Sequence, residues 1–351
     1  MEKIRVDASK SYDVLIGRDL LKDAGKYIAP FASGKCLIVS DDNVFPLYGK
    51  ALSESLESAG IASETFVFPH GEEHKNMETY ESLLEYMASV HMTRQDTVIA
   101  LGGGVTGDLA GFAAATYQRG IGLIQMPTSL LAAVDSSVGG KTAIDLKAGK
   151  NQVGCFYQPD LVLCDIDTLQ TLPEEEYRCG CAEIIKYAVI KSPALFEDID
   201  NSGIDAQYER VIRECVSIKR DYVASDEFDT GERMFLNFGH TFGHAIEALS
   251  GYTVPHGMAV AAGMAIMTRS ACKRGICDEK TVAEIEGILE KYGLPADTEF
   301  SAHDMAEVIR ADKKAKGDTI TIVVPETIGK CSLQKVALSE IEEWLKDGGV
   351  R

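Results

Sequence analysis

The stretch from Asp96 to Tyr117 limits the possible folds more than any other part of the chain. Asp96-Thr-Val-Ile-Ala-Leu101 reads as a buried strand, it ends in Gly102-Gly-Gly-Val-Thr-Gly107-Asp108, and a small-residue helix from Leu109 to Tyr117 follows. A buried strand that turns through glycines directly into a helix belongs to an open α/β sheet. Gly102, Gly104 and Gly107 satisfy G-x-G-x-x-G in that context, where glycines let backbone N–H groups approach a pyrophosphate at a helix N-terminus. Two features depart from the usual fingerprint. The motif is not in the first βα unit, and no acidic residue closes a following strand about twenty residues on. The pattern therefore predicts a dinucleotide in a variant arrangement, with Asp41 as a candidate partner for its ribose. The competing reading is a helix packed closely on its strand by small residues.

The rest of the first half fits such a sheet. Ile4 to Gly17 alternates apolar and polar residues and reads as an edge hairpin. Cys36 to Ser40 is a short strand ending in Asp41-Asp42-Asn43, and polar groups just past the carboxyl end of a strand are where an open sheet meets its ligand. A strand from Glu64 to Phe68 leads to Pro69-His70-Gly71-Glu72-Glu73-His74-Lys75 and a helix over 76–91. Gly122 to Met126 delivers the loop Pro127 to Thr142, which contains Asp135 and Lys141, and Gly149-Lys150-Asn151 follows. Lysines beside glycines suit phosphate or carboxylate oxygens, although the spacing of a Walker loop is absent. Leu161 to Asp165 is the last strand of this half, and Asp167 to Pro173 reads as a hinge.

Beyond Pro173 the apolar period becomes helical, over 174–191, 204–224, 233–249, 258–274 and 279–292, with strand-like Thr319 to Val324 near the end. The expected fold is α/β: an N-terminal Rossmann-like nucleotide-binding domain over 1–172, then an all-helical C-terminal metal- and substrate-binding domain over 173–351. The densest polar stretch lies in the second part. On one continuous helix, Arg233, Asn237, His240 and His244 share a face. Partly buried histidines satisfied by backbone carbonyls are the bland reading, but two of them beside Asn and Arg point to a site. The Glu that follows the first His in a metalloprotease helix is replaced by Thr241. Glu183, His240 and His256 offer one carboxylate and two imidazoles, a set that suits zinc with open positions.

The net charge of −19 disfavours nucleic acid or an anionic membrane as partner. Basic residues lodged in glycine-rich or apolar surroundings therefore carry information: Arg119, Lys141, Lys150, Lys186, Lys219 and Arg233. If they converge, they bind a small, highly anionic molecule. Nine scattered cysteines form no four-cysteine zinc pattern and read as free thiols of a reducing cytosol. No apolar run is long enough to span a bilayer. Unaided, these residues imply metal- and NAD-dependent oxidation of a polyanionic polyol derivative.

Five segments are similar to the 3-dehydroquinate synthase family: Gly102 to Gly120, Pro127 to Thr142, Gly149 to Asn151, Ala182 to Tyr187 and Leu236 to His244. The resemblance implies conversion of 3-deoxy-D-arabino-heptulosonate 7-phosphate to 3-dehydroquinate and phosphate, the second step of the shikimate pathway. It implies transient oxidation with NAD, β-elimination of phosphate, re-reduction, ring opening and aldol closure. It also implies zinc, or cobalt in its place, and a cytoplasmic homodimer. Carried onto matching positions, Glu183, His240 and His256 bind the metal. NAD contacts fall on Asp41, Asn43, the loop His70, Gly71, Glu72, Glu73, His74 and Lys75, then Gly104, Val105, Thr106, Gly107 and Asp108, then Thr128, Ser129, Lys141, Lys150, Thr168, Leu169, Gln170 and Thr171. Asp135, Lys141, Asn151, Lys186, Lys219, Arg233, Asn237, His244 and Lys314 line the substrate site, and Arg119 reaches the phosphate held by the partner subunit. Rival readings are another sugar-phosphate cyclase such as a 2-deoxy-scyllo-inosose synthase, a metal-dependent polyol dehydrogenase, and a silent nucleotide-binding protein. Met258 stands where relatives usually carry an acid.

Overall fold

In the computed structural model, which describes residues 1–313 and 317–351, the run at Asp96 does become a strand inside a sheet. The strands of the first half are β1 (Glu2–Val6), β2 (Tyr12–Gly17), β3 (Cys36–Asp41), β4 (Ser63–Phe68), β5 (Thr97–Gly102), β6 (Gly122–Pro127), β7 (Lys141–Leu146), β8 (Gly149–Phe156) and β9 (Leu161–Asp165). Seven of them form one sheet in the order β1-β2-β9-β6-β5-β3-β4, parallel except for the antiparallel β1–β2 edge hairpin. β7 and β8 pair separately as an antiparallel hairpin.

Burial on both faces explains the apolar runs. Ile38, Ile99, Leu101 and Ile124 point into one core with Leu52 and Leu56 of α2 (Phe45–Ser58) and Ala24 and Ile28 of α1 (Ala24–Ile28). The alternate residues Leu37, Val39, Val98, Ala100 and Leu123 point into the other, against Leu83 and Met87 of α3 (Met77–Ser89) and Leu109 and Phe112 of α4 (Gly104–Thr116). This period-two alternation between two covered faces is the mark of a parallel sheet between helix layers. After β3 the chain adds β4 on one side and β5 on the other, so strand order reverses between β3 and β5. The carboxyl ends of those two strands form the crevice in which doubly wound sheets hold ligands.

The chain divides into two compact units, Met1–Pro173 with Ile212–Phe228, and Glu174–Val211 with Asp229–Arg351. The sequence assigns Ile212–Phe228 to the second part because its helical period is continuous with what precedes it. Its side chains join it to the first unit: Lys219 donates to the Asp135 carbonyl at 2.7 Å, and Glu227 accepts from Ser9 Oγ at 2.6 Å and from Gln158 Nε2 at 2.9 Å.

The second unit is built from α5 (Glu174–Lys191), α6 (Pro193–Ser202), the start of α7 (Tyr208–Ser225), α8 (His240–Leu249), α9 (His256–Lys273), α10 (Glu279–Lys291), α11 (Ala302–Lys313) and α12 (Ile341–Asp347). It is not wholly helical. β10 (Thr319–Thr327) and β11 (Lys330–Ala337) form an antiparallel hairpin whose alternation is visible only as the strand-like run at Thr319. α9 packs against α5, α8, α10 and α12, and Ala259 to Thr268 is buried without interruption. No helix among the described residues is long and apolar enough to cross a membrane.

Candidate active site

In the first unit, the glycine motif sits where the strand order reverses. β5 ends at Gly102 and α4 starts at Gly104, five residues earlier than the apolar pattern indicates, so Gly104 to Gly107 form the helix's first turn, closed by the Gly107 N–H donating to the Gly103 carbonyl at 3.0 Å. A Cβ on Gly107 would lie 2.9 Å from Gln125 Oε1, and the Gln125 side chain donates to the Gly107 carbonyl at 3.1 Å. Close packing of α4 on β6 is thus present at a helix N-terminus whose Gly103, Gly104 and Val105 are half-buried. Asp41 closes β3 beside it. Its carboxylate accepts from Asn43 and Val44 N–H groups at 2.9 Å each and from Thr106 Oγ1 at 3.2 Å. Thr128 N donates to the Gly102 carbonyl at 3.0 Å, which carries Thr128 and Ser129 to the same sheet end. Thr168 to Thr171 lie on the turn after β9, where Tyr48 Oη donates to the Thr168 carbonyl at 2.9 Å.

Around Lys75 the structure differs from a simple ligand-facing lysine. Only 3% exposed, its ammonium lies 2.8 Å from Glu72, 3.3 Å from Asp108 and 3.8 Å from Asp145, and it donates to Asn151 Oδ1 at 2.8 Å. Asp145 N also donates to the Lys75 carbonyl and Asn151 N to Asp145 Oδ1, both at 2.7 Å, so the β7–β8 hairpin is tied to the start of α3. Burial pushes the Asp108 carboxyl up to about 6 against the opposing pull of Lys75. Asn151 spends its side chain on this knot and adopts φ +54. His70 pairs with Asp42 at 2.7 Å on the exposed loop beside Gly71, Glu73 and His74. Lys150 approaches Glu72 at 4.0 Å, and Lys141 stands exposed at the start of β7. Asp135 and Lys219 form an ion pair. Arg119 is exposed at φ +69, directly after Gln118 at φ +52. Lys314 lies outside the described residues.

In the second unit, the expected helix from Arg233 to Leu249 is broken. Glu232–Asn237 is a short 3₁₀ segment, Gly239 turns left-handed at φ +79, and α8 starts at His240. A Cβ on Gly239 would lie 2.5 Å from Met264 Cγ and 2.7 Å from the Val260 carbonyl, so only glycine fits between this turn and α9. Arg233 and Asn237 therefore do not continue the face of His240 and His244; Arg233 is 1% exposed on the segment before the turn.

The break has a product. His240 Nδ1 lies 3.1 Å from the Phe238 carbonyl, which takes the ring proton and leaves Nε2 directed at Glu183 Oε1, 3.6 Å away. His256 starts α9, and a Cβ on Gly257 would be 2.3 Å from Cys179 Cα, so α9 begins hard against α5. That contact brings His256 Nε2 to 3.3 Å from the same Glu183 oxygen. Glu183, 1% exposed, gives its other oxygen to Lys186 at 2.5 Å. Donors 2.0–2.1 Å from a tetrahedral ion are about 3.4 Å apart, so these spacings are those of ligands around one small cation. The donor set, one carboxylate and two imidazoles, is also a zinc set. Burial pulls His240 down to about 3 and keeps it neutral. Burial also works to lower His256, but hydrogen bonds to Glu183 and Glu247 outweigh it and raise it to about 10. The pocket thus calls for positive charge between these side chains.

His244 is exposed one turn along α8, its ring centroid 5.4 Å from that of His240 and 6.1 Å from that of His256. Glu247 completes the cluster, its carboxylate 3.2 Å from His256 Nδ1. Sequence reading passed over Glu247, although its spacing of seven from His240 and three from His244 places all three on one face of α8. Asp145 was missed too, since only the hairpin reveals it.

Family models described as "3-dehydroquinate synthase N-terminal" and "3-dehydroquinate synthase C-terminal" match residues 65–179 and 180–315. A protein named 3-dehydroquinate synthase from Lactococcus lactis subsp. cremoris (strain MG1363) is 44% identical over 347 residues, covering 95% of this chain and 97% of that one. Among solved structures, a 2-deoxy-scyllo-inosose synthase complexed with carbaglucose-6-phosphate, NAD+ and Co2+ superposes with TM-score 0.89 at 26% identity, covering 99% of this chain and 100% of the other. ValA, a 2-epi-5-epi-valiolone synthase from Streptomyces hygroscopicus subsp. jinggangensis 5008 with NAD+ and Zn2+ bound, gives TM-score 0.88 at 28% identity over 99% of each chain.

Proposed function

The chain belongs to the 3-dehydroquinate synthase family, whose members convert 3-deoxy-D-arabino-heptulosonate 7-phosphate to 3-dehydroquinate and phosphate, and on that premise we propose how its residues divide the work. The reading is carried by one observation: two imidazole Nε2 atoms converge on Glu183 Oε1 at 3.3 and 3.6 Å in a buried pocket. Glu183, His240 and His256 would hold a divalent metal, zinc or cobalt. Asp41, the first turn of α4, Thr128, Ser129 and the loops bearing Asn43, Glu72 and Thr168 would hold NAD. When bound, the two groups would supply a Lewis acid at a substrate hydroxyl and a reversible hydride acceptor.

The remaining tasks fall to the chain's own side chains. Lys186 holds Glu183 in place through its second oxygen and leaves the first directed at the imidazoles. Cations at Lys141, Lys150, Lys219 and Arg233 bind and orient the phosphate and carboxylate, and stabilise charge as phosphate leaves. Asn237 serves substrate hydroxyls, and exposed His244 moves protons. Aldol closure then needs little beyond a chain held in a near-attack pose. Nine free thiols support a cytosolic enzyme, and the −19 charge supports a partner other than nucleic acid or an anionic membrane. The family resemblance supports a homodimer in which Arg119, exposed after the left-handed Gln118, serves the partner's substrate.

The test is direct. Supplied with zinc, catalytic NAD and the heptulosonate phosphate, the purified protein releases phosphate and forms dehydroquinate without net NADH, and a chelator stops it. No phosphate release would reject the assignment. Accumulating NADH would favour a polyol dehydrogenase, and turnover of glucose 6-phosphate would favour an inosose synthase.

A further inference from the structure

We propose that Glu247 is a positioning residue for the metal centre: its carboxylate holds His256 by Nδ1 and so presents Nε2 to the ion beside Glu183 and His240. The proposal rests on the reading of Glu183, His240 and His256 as ligands.

Glu247 is 2% exposed, and a carboxylate taken so far from water must be partnered to be tolerated. Its Oε2 lies 3.2 Å from His256 Nδ1, while the opposite ring nitrogen lies 3.3 Å from Glu183 Oε1. An imidazole that donates one N–H can offer only the other nitrogen as ligand, so this bond fixes both the tautomer and the plane of the ring. His240 is oriented in the same manner by a neutral partner, the Phe238 carbonyl. A carboxylate does more than a carbonyl, because its charge raises the basicity of the ligating nitrogen.

The backbone of Glu247 adds a second hold on His256. Its carbonyl accepts from Tyr252 N and Ser250 Oγ, both at 2.8 Å, and Ser250 Oγ accepts from Val254 N at 3.2 Å. These bonds set the turn that links α8 to His256, with Gly251 and Tyr252 at φ +62 and +64. Both the path of the chain and the orientation of the ring therefore depend on one residue. A competing arrangement exists in the same cluster. Donor atoms of His244, Glu247 and His256 also lie within 4.8 Å of one another, which would make Glu247 a ligand instead of a support.

Zinc affinity, measured on the full-length protein by competition with a chromophoric chelator, separates the two. Circular dichroism and thermal melting of the metal-free forms check that each variant folds. Glu247→Leu is expected to bind one zinc per chain roughly 10–100-fold more weakly than wild type. Glu247→Gln, which keeps an accepting oxygen, recovers much of that loss. Glu183→Ala loses the ion, and His244→Ala binds like wild type. In zinc-loaded protein, the His256 Nδ1–H resonance seen by nitrogen-15 NMR loses its downfield shift in Glu247→Leu. Should Glu247→Leu fail to fold, Glu247→Asp, whose shorter stem draws the carboxylate back from Nδ1, is read in its place. Unchanged affinity in a folded Glu247 variant would overturn the proposal. So would a complete loss in Glu247→Leu matched in His244→Ala while Glu183→Ala still binds the ion, because Glu247 would then be a ligand. Wild-type protein that takes up no zinc would overturn the ligand reading itself, and the proposal with it.

Discussion

Replacing Lys75 by Met keeps most of the buried stem and removes the charge at the centre of the first unit's polar knot. Three carboxylates then face one another without their cation, at positions now 2.8, 3.3 and 3.8 Å from it. Breaking a buried pair by removing one partner costs about 3–5 kcal/mol. For a unit of this size that is roughly 6–20 °C in melting temperature. The loss depends on pH in a definite direction. The Asp108 carboxyl already sits at about 6 in the folded protein, above its ordinary 3.8, so its ionisation opposes folding as pH rises between those values. Without Lys75 its pKa rises further, and the penalty at pH 8 grows while at pH 5 the group is protonated in both proteins. Calorimetry of ligand-free protein should therefore show a large loss at pH 8 and a smaller one at pH 5. A Lys75→Met protein within about 1 kcal/mol of wild type at pH 8, or one equally weakened at both pH values, would refute this account of the knot, since a broken buried pair costs several times that.

Three further outcomes follow from the geometry. Gly257→Ala places a methyl 2.3 Å from the Cys179 backbone and must push the start of α9 away from Glu183. We expect a loss of about 1–3 kcal/mol by melting and weaker zinc binding in the chelator assay; unchanged affinity would mean that the contact does not set the site. Thr106→Val removes the 3.2 Å bond to Asp41 and should cost about 1 kcal/mol and weaken NAD binding, measured by calorimetric titration. Asp135→Asn removes the charge paired with Lys219 and should lower kcat/KM in the phosphate-release assay while leaving zinc content unchanged; wild-type turnover would exclude the pair from the site.

How much of this was legible in the sequence depends on the range of the forces involved. The strand, glycine turn and helix from Asp96 could be read because local period and glycine content determine them, and so could α5, whose apolar run contains Glu183 and Lys186. The break before His240 could not, because the close approach of Val260 and Met264 that requires glycine at Gly239 comes from a later helix. For the same reason Arg233 and Asn237 were placed on a face they do not share. Lys75 was read as facing a ligand because a sequence does not show that Asp108, Asp145 and Asn151 converge on it. The helical period of Ile212–Phe228 likewise says nothing about which core its side chains join. Glu183, His240 and His256 could be picked by residue type as a candidate set, while the place of Glu247 beside them depends on how His256 folds back onto α8.

The central claim is that Glu183, His240 and His256 grip one ion, and anomalous diffraction at the zinc edge from crystals grown with zinc tests it most directly. A single strong peak is expected, about 2.0–2.2 Å from a Glu183 oxygen and from Nε2 of His240 and of His256. A peak held instead by His244 and Glu247, or no peak beside Glu183 in zinc-saturated protein, would contradict it.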